Sequence, residues 1–180
     1  MSTQDCVHDF ELKIKDDSFR TFRGNKDFWQ RIQETDLIRV LNAVAVDFGY
    51  VQGMNVLLGP FLYIMPEVDS YYCLSTLISK HCPRYVSKNL DGVYKGCELL
   101  DKCLESLDRE LYEHIKSKMT LDVFSVPYIM TLFANMQPLN EVLKLWDAIF
   151  AFGIHFVVPL LVTYLMLMRD ALLAQHSAYK

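Results

Sequence analysis

The stretch ETDLIRVLNAVAVDFGY, residues 34–50, decides how the chain folds. Leu37, Leu41, Val44 and Phe48 recur at i, i+4, i+7 and i+11, while Arg39, Asn42 and Asp47 fall on other faces. That spacing belongs to a helix with one face turned to a core, and Thr35 or Asp36 is available to cap it. Working outward, a second helix opens at Gly53 and runs through Leu57, Phe61 and Ile64 to Met65, where Pro66 stops it. Pro60 is expected to kink or split it. Asp69 is positioned to cap a helix carrying Tyr72, Leu74, Leu77 and Ile78 as far as Pro83, and further helices are expected over Val93–Leu107 and Asp108–Ser117. A turn at Thr120–Asp122 leads to a helix over Phe124–Asn135. Pro138 restarts the chain, and Leu139–Phe152 ends against Gly153. Few segments alternate apolar with polar, so the fold class is all-α.

With 180 residues and 52% hydrophobic content, one domain over residues 1–180 can bury a core without staples or metals. A net charge of −4 gives no footprint for nucleic acid or anionic lipid. The five cysteines (Cys6, Cys73, Cys82, Cys97, Cys103) are odd in number and form no C-x-x-C pair, which fits a reducing compartment, with Cys73, Cys82, Cys97 and Cys103 serving as small apolar residues. A zinc site at His81 and Cys82 lacks a second ligand pair at usable spacing, and His8, His81, His114, His155 and His176 are scattered with none at i, i+4 from another, so no metal site is expected. Ala148–Met168 carries no formal charge over the length of a bilayer crossing. Gly153, His155 and Pro159 interrupt it, so two buried helices meeting at a turn, with His155 near a helix end, fit as well as a span; no span is expected.

Two short segments carry chemistry. In Ile14-Lys-Asp-Asp17-Ser-Phe-Arg20-Thr21, the carboxylate of Asp17 stands three residues before Arg20, and on a helical turn that spacing places it beside the guanidinium. Equally, Asp16, Asp17 and Ser18 read as a helix N-terminus or polar turn with a surface ion pair of little consequence. In Tyr50-Val-Gln52-Gly53-Met-Asn55, Gly53 removes the side chain beside Gln52, so another molecule can approach, with the positive end of the following helix turned toward that place. A glycine needed only for its backbone angles is the other reading.

Taken together, Ile14-x-x-Asp17-x-x-Arg20-Thr21 followed by Tyr50-x-Gln52-Gly53 resembles the paired signature of TBC domains, the all-helical activators of Rab-type GTPases. Phe124-Ser-Val-Pro127 to Phe133, and Leu145-Trp146-Asp147 before Gly153, look like the later helices of that domain. The wording from Gln52 to Tyr63 and the Leu143–Asp147 stretch resemble most one fungal branch that restrains mitotic exit or septation until the spindle is positioned. The resemblance implies an N-terminal helical part carrying two fingers and a C-terminal helical part. It makes Arg20 the arginine finger, with Asp17 orienting it, and Gln52 the glutamine that positions the attacking water. Thr21, Tyr50 and Gly53 become supports, and Asn55 can hold the loop by a side-chain bond to backbone. Such a protein has no cofactor of its own; it acts on GTP and Mg held by a small Ras- or Rab-like GTPase. It is a GTPase activator rather than an enzyme in its own right. The branch further implies a scaffold subunit needed for activity and a cytoplasmic protein that reaches the spindle pole.

The chain departs from the family at three points. The family's Arg-x-x-x-Trp segment is missing ahead of Ile14, the frequent proline after Arg-Thr is replaced by Phe22-Arg23-Gly24, and the C-terminal end is short. Arg23 is a spare cation. The domain is therefore expected to be shortened at both ends relative to the family. A helical module that docks a GTPase or scaffold without accelerating hydrolysis is the rival reading; the presence of both Arg20 and Gln52 argues against it.

Overall fold

The computed structural model describes residues 3–87 and 89–174. Eleven α-helices lie among the described residues, and no strand: α1 (Thr3–Arg20), α2 (Lys26–Arg31), α3 (Glu34–Phe48), α4 (Met54–Ile64), α5 (Glu67–Thr76), α6 (Asp91–Leu107), α7 (Arg109–Lys116), α8 (Leu121–Thr131), α9 (Leu139–Phe152), α10 (Val157–Leu167) and α11 (Arg169–Leu173). A π-helical turn, Leu77–His81, follows α5, and a 3₁₀ turn, Ile154–Phe156, precedes α10.

Helix α4 is the axis of the N-terminal part. Nearly every residue from Met54 to Tyr63 is buried, and α4 packs on α1, α3, α5, α8 and α9. Enclosure of this kind holds a helix that propensity alone would not. Pro60 accordingly sits inside α4 without splitting it. In the C-terminal part α6 packs on α7, α8 and α10. The two parts meet where Phe61 of α4 contacts Trp146 of α9, ring centroids 5.1 Å apart.

Several expected boundaries move, each for a reason the structure shows. Gln33, not Thr35 or Asp36, caps α3, with Asp36 completing a capping box through its bond to the Gln33 N–H at 2.9 Å. Helix α3 stops at Phe48 because Gly49 turns to φ 75°. Phe48 is 41% exposed and so leaves the core stripe of Leu37, Leu41 and Val44. Pro66 precedes α5, leaving Asp69 inside its first turn rather than at its cap. Asp108 caps α7 by accepting the Leu111 N–H at 3.0 Å, and its other oxygen accepts from Arg169 Nε at 2.6 Å, tying α11 to α7. Helix α8 begins at Leu121 and ends at Thr131, short of Asn135: Leu132 and Phe133 take left-handed angles, and the Leu132 carbonyl turns to accept the Trp146 indole N–H at 2.7 Å.

The apolar run 148–168 is divided by Gly153 at φ 99° and the 3₁₀ turn into α9 and α10, which are 14 and 11 residues long. Among the described residues no helix is long and apolar enough to cross a membrane. His155 lies in that 3₁₀ turn and is exposed. Of the four cysteines whose side chains are described, Cys82 and Cys97 are buried, while Cys73 and Cys103 are only partly so. Burial pushes the Cys82 thiol up to about 12. No group of three or more His, Cys, Asp or Glu suited to a metal occurs among the described residues. His176 and the side chains of Cys6 and His8 lie outside them.

Candidate functional site

Asp17, Arg20 and Thr21 stand at the C-terminal end of α1, not at a helix N-terminus. The reading of Asp16–Ser18 as a helix start or polar turn is therefore corrected. The i, i+3 spacing on α1 brings Arg20 Nη2 to Asp17 Oδ1 at 2.7 Å. The two side chains differ sharply in exposure, 64% for Arg20 and 9% for Asp17. A buried carboxylate thus grips one nitrogen of a largely exposed, permanently charged fork.

The other Asp17 oxygen, Oδ2, accepts the Tyr50 hydroxyl at 2.8 Å. The phenol has a single proton, so its longer contact to Asn55 Oδ1, 3.3 Å, is subordinate. Burial raises the Tyr50 pKa well above its ordinary value, with the Asp17 hydrogen bond and charge adding to the rise and Arg20 opposing it. Asn55, buried near the start of α4, joins the two segments. Its Nδ2 donates to Thr21 Oγ1 at 2.8 Å and, at 3.3 Å, to the backbone carbonyl of Asp17. Its Oδ1 accepts the Gly53 N–H at 3.0 Å. Thr21 Oγ1 in turn donates to the Asp17 carbonyl at 2.8 Å. Asp17, Thr21, Tyr50, Gly53 and Asn55 are thus tied to one another in one buried cluster, which favours one arrangement, while the hydroxyl of Ser18, also buried, has no hydrogen-bond partner among the described residues.

Gln52 projects from this cluster on the turn before α4 and is exposed. Gly53 takes φ 102°, an angle open to glycine and costly for other residues. The expected open approach beside Gly53 is not found. The glycine is buried, its N–H is spent on Asn55, and a Cβ there would stand 2.8 Å from Met130 Cε of α8. Its requirement is backbone angle and close packing.

Sequence reasoning missed the residues packed under and around these turns: Phe22, Gly59 and Met130. A glycine between Leu58 and Pro60 in an apolar helix was the available signal, since such a glycine often marks a close approach. Beside Arg20, the side chains of Lys15, Asp16, Phe19, Arg23 and Glu34 line a shallow depression of about 410 Å³. The Arg23 guanidinium lies over the Phe19 ring, 5.4 Å from its centroid.

A Rab-GTPase-TBC domain model matches residues 2–173. The chain belongs to that family. Among curated proteins, this TBC chain is 41% identical to a mitotic check point protein BUB2 of Dictyostelium discoideum, over 92% of this chain and 46% of that protein. It is also 41% identical to cell division control protein 16 of Schizosaccharomyces pombe, over 92% of this chain and 56% of that protein. With mitotic check point protein BUB2 of Saccharomyces cerevisiae the identity is 37%, over 92% and 60%. The chain therefore spans about half the length of these relatives. Among solved structures, the Chlamydomonas flagellar RabGAP TBC domain superposes with a TM-score of 0.79 at 22% identity, covering 97% of this chain and 62% of that one. At that identity the likeness speaks for the fold.

Proposed function

We propose that the chain is a GTPase-activating protein that lends Arg20 and Gln52 in trans to a GTP- and Mg-loaded Ras- or Rab-like GTPase. One observation carries the reading: in a TBC-family chain, a buried hydrogen-bond cluster joins the end of α1, where Arg20 is exposed, to the turn where Gln52 is exposed. Phosphoryl transfer asks the protein chiefly to position the attacking water and to stabilise charge on the phosphate oxygens. Arg20 supplies the charge, its fork able to bridge two oxygens. Asp17 keeps hold of one nitrogen and so limits the fork's freedom before docking. Gln52 can donate and accept at once, as a water-positioning group must. Nucleotide and metal belong to the GTPase, and the activator turns over nothing alone.

The setting proposed is mitotic exit and spindle-position control, from the cytoplasm to the spindle pole, with a scaffold subunit as second partner. What supports it is the likeness to proteins named for a mitotic check point and for cell division control. Single-turnover GTP hydrolysis over a panel of Ras- and Rab-like GTPases tests the activity. A trans-acting arginine accelerates hydrolysis on the order of 10³- to 10⁵-fold, so Arg20→Ala should abolish most of the stimulation and Gln52→Ala a large part. If the wild type, with or without a scaffold, stimulates none, or if both variants match it, the chain is a docking module instead.

A further inference from the structure

Asn55, Gly59 and Tyr63 recur at every fourth residue of α4 and share one face. Each receives a successive part of the segment that follows Asp17. Asn55 holds Thr21, as described. Tyr63 lies parallel to Phe28, with ring centroids 6.3 Å apart and 11° between planes. Between them Gly59 lies directly under Phe22. A Cβ on Gly59 would stand 2.0 Å from Phe22 Cε2 and 2.9 Å from Cζ, a gap only glycine allows. Fully buried Phe28 sits against this half-buried ring at a centroid distance of 4.8 Å and blocks its retreat on that side.

The backbone at Phe22 is itself constrained. It takes φ 46°, a left-handed angle costly for a residue with a Cβ, and its carbonyl accepts the Asn25 N–H at 2.9 Å. A conformation of that kind persists only where its surroundings over-determine it. Here the determinants are the hydroxyl of Thr21 on Asn55 and the ring of Phe22 on Gly59, two consecutive residues pinned one turn apart along α4, immediately after Arg20.

We infer that the seat of Phe22 on Gly59 is a positioning device for Arg20, and that Phe22 and Gly59 are positioning residues for the activation reaction. The inference rests on the reading of Arg20 as the finger. Alanine is a better helix former than glycine, so without the ring above it Gly59→Ala would favour α4. With the ring there, the added methyl must push Phe22 out and drag the turn that begins at Arg20.

The test is single-turnover hydrolysis with the GTPase that the wild-type chain stimulates, read as maximal rate and half-saturating activator concentration. A misplacement of about 1 Å costs on the order of 10²-fold. Gly59→Ala is therefore expected to lower the maximal rate at least about tenfold while half-saturation stays nearly unchanged. Adding Phe22→Leu, which shortens the clashing side chain, should recover a large part of that loss. A folded Gly59→Ala chain with wild-type rate, or a double variant no better than the single, overturns the seat. A second arm needs no GTPase: the Arg20 Nε–Hε resonance, assigned by its disappearance in Arg20→Lys, should move in Gly59→Ala and return in the double variant. An unmoved resonance overturns the inference. Should the wild type stimulate no GTPase, the finger reading fails on the first arm while the resonance still decides the seat. Should Gly59→Ala not fold, Phe22→Leu alone must lower the rate or move the resonance, and leaving both unchanged overturns the seat.

Discussion

Asn55 donates to the Thr21 hydroxyl at 2.8 Å across 34 positions of sequence, while its carbonyl oxygen takes the Gly53 N–H at 3.0 Å. One buried amide therefore holds both the end of α1 and the turn before α4. Asn55→Ala strands the Gly53 N–H and removes the Thr21 partner, and each buried group left unpaired costs about 1–3 kcal/mol. We expect urea denaturation to show a loss of roughly 2–4 kcal/mol. A loss within about 0.5 kcal/mol, the range of ordinary surface changes, would mean the amide does not hold these segments.

Asp17 is the next test of the pair, because one side chain serves both Arg20 and Tyr50. Asn at this position keeps an oxygen for one partner but loses the charge that orients the guanidinium. Asp17→Asn is expected to lower stimulated hydrolysis by about 10- to 100-fold, as loss of orientation does, short of the loss in Arg20→Ala. Arg20→Lys should fall close to Arg20→Ala, since an ammonium keeps the charge and loses the fork. Arg20 itself is largely exposed and Asp17 keeps its Tyr50 partner without it, so both Arg20 variants should fold, with a stability loss of no more than about 1 kcal/mol. Wild-type rates for Asp17→Asn would remove Asp17 from the orienting role.

Gly153 decides how the apolar run 148–168 folds. At φ 99° and ψ 156° it occupies a region essentially reserved for glycine, and a Cβ would meet His155 Cε1 at 2.9 Å. Gly153→Ala should cost about 1–3 kcal/mol in urea denaturation, with the helical far-UV spectrum kept. An unchanged midpoint would place the α9–α10 turn elsewhere.

The helical class, the core stripe Leu37–Leu41–Val44 and the break at Gly153 were legible because period and punctuation are local properties of the chain. The turn geometry of Asp17 and Arg20 was legible for the same reason. What periodicity could not supply is anything settled between elements. Phe48 falls in phase with the stripe yet emerges at the helix end, α8 stops early because Trp146 of α9 claims a carbonyl, and Gly59 looks like a flaw in α4 until Phe22 is placed on it. The link from Tyr50 and Asn55 to Asp17 and Thr21 likewise exists only in three dimensions; motif resemblance pointed to the segments but not to the bonds.

Burial of Tyr50 against Asp17 makes stability depend on alkaline pH. Tyr50 has its pKa raised above 10.0 by burial first and by Asp17 second. The folded state thus holds the phenolic proton more tightly than the unfolded chain does. Its contribution is complete below pH 10, where both states are protonated, and is lost as pH rises from there toward the folded value. In that window one such group steepens the decline by up to about 1.4 kcal/mol per pH unit. Cys82 and Tyr85, each pushed up to about 12 mainly by burial, act with the same sign, the thiol from about pH 9. Tyr50→Phe should therefore flatten the decline above pH 10 without removing it, and should lower stability at neutral pH, where Asp17 loses a hydrogen-bond donor. Urea midpoints at pH 7, 9, 10 and 10.8 measure both effects. Parallel curves for wild type and Tyr50→Phe through that range would mean that the phenol ionises in the folded protein as it does in water, and that its bond to Asp17 is not formed.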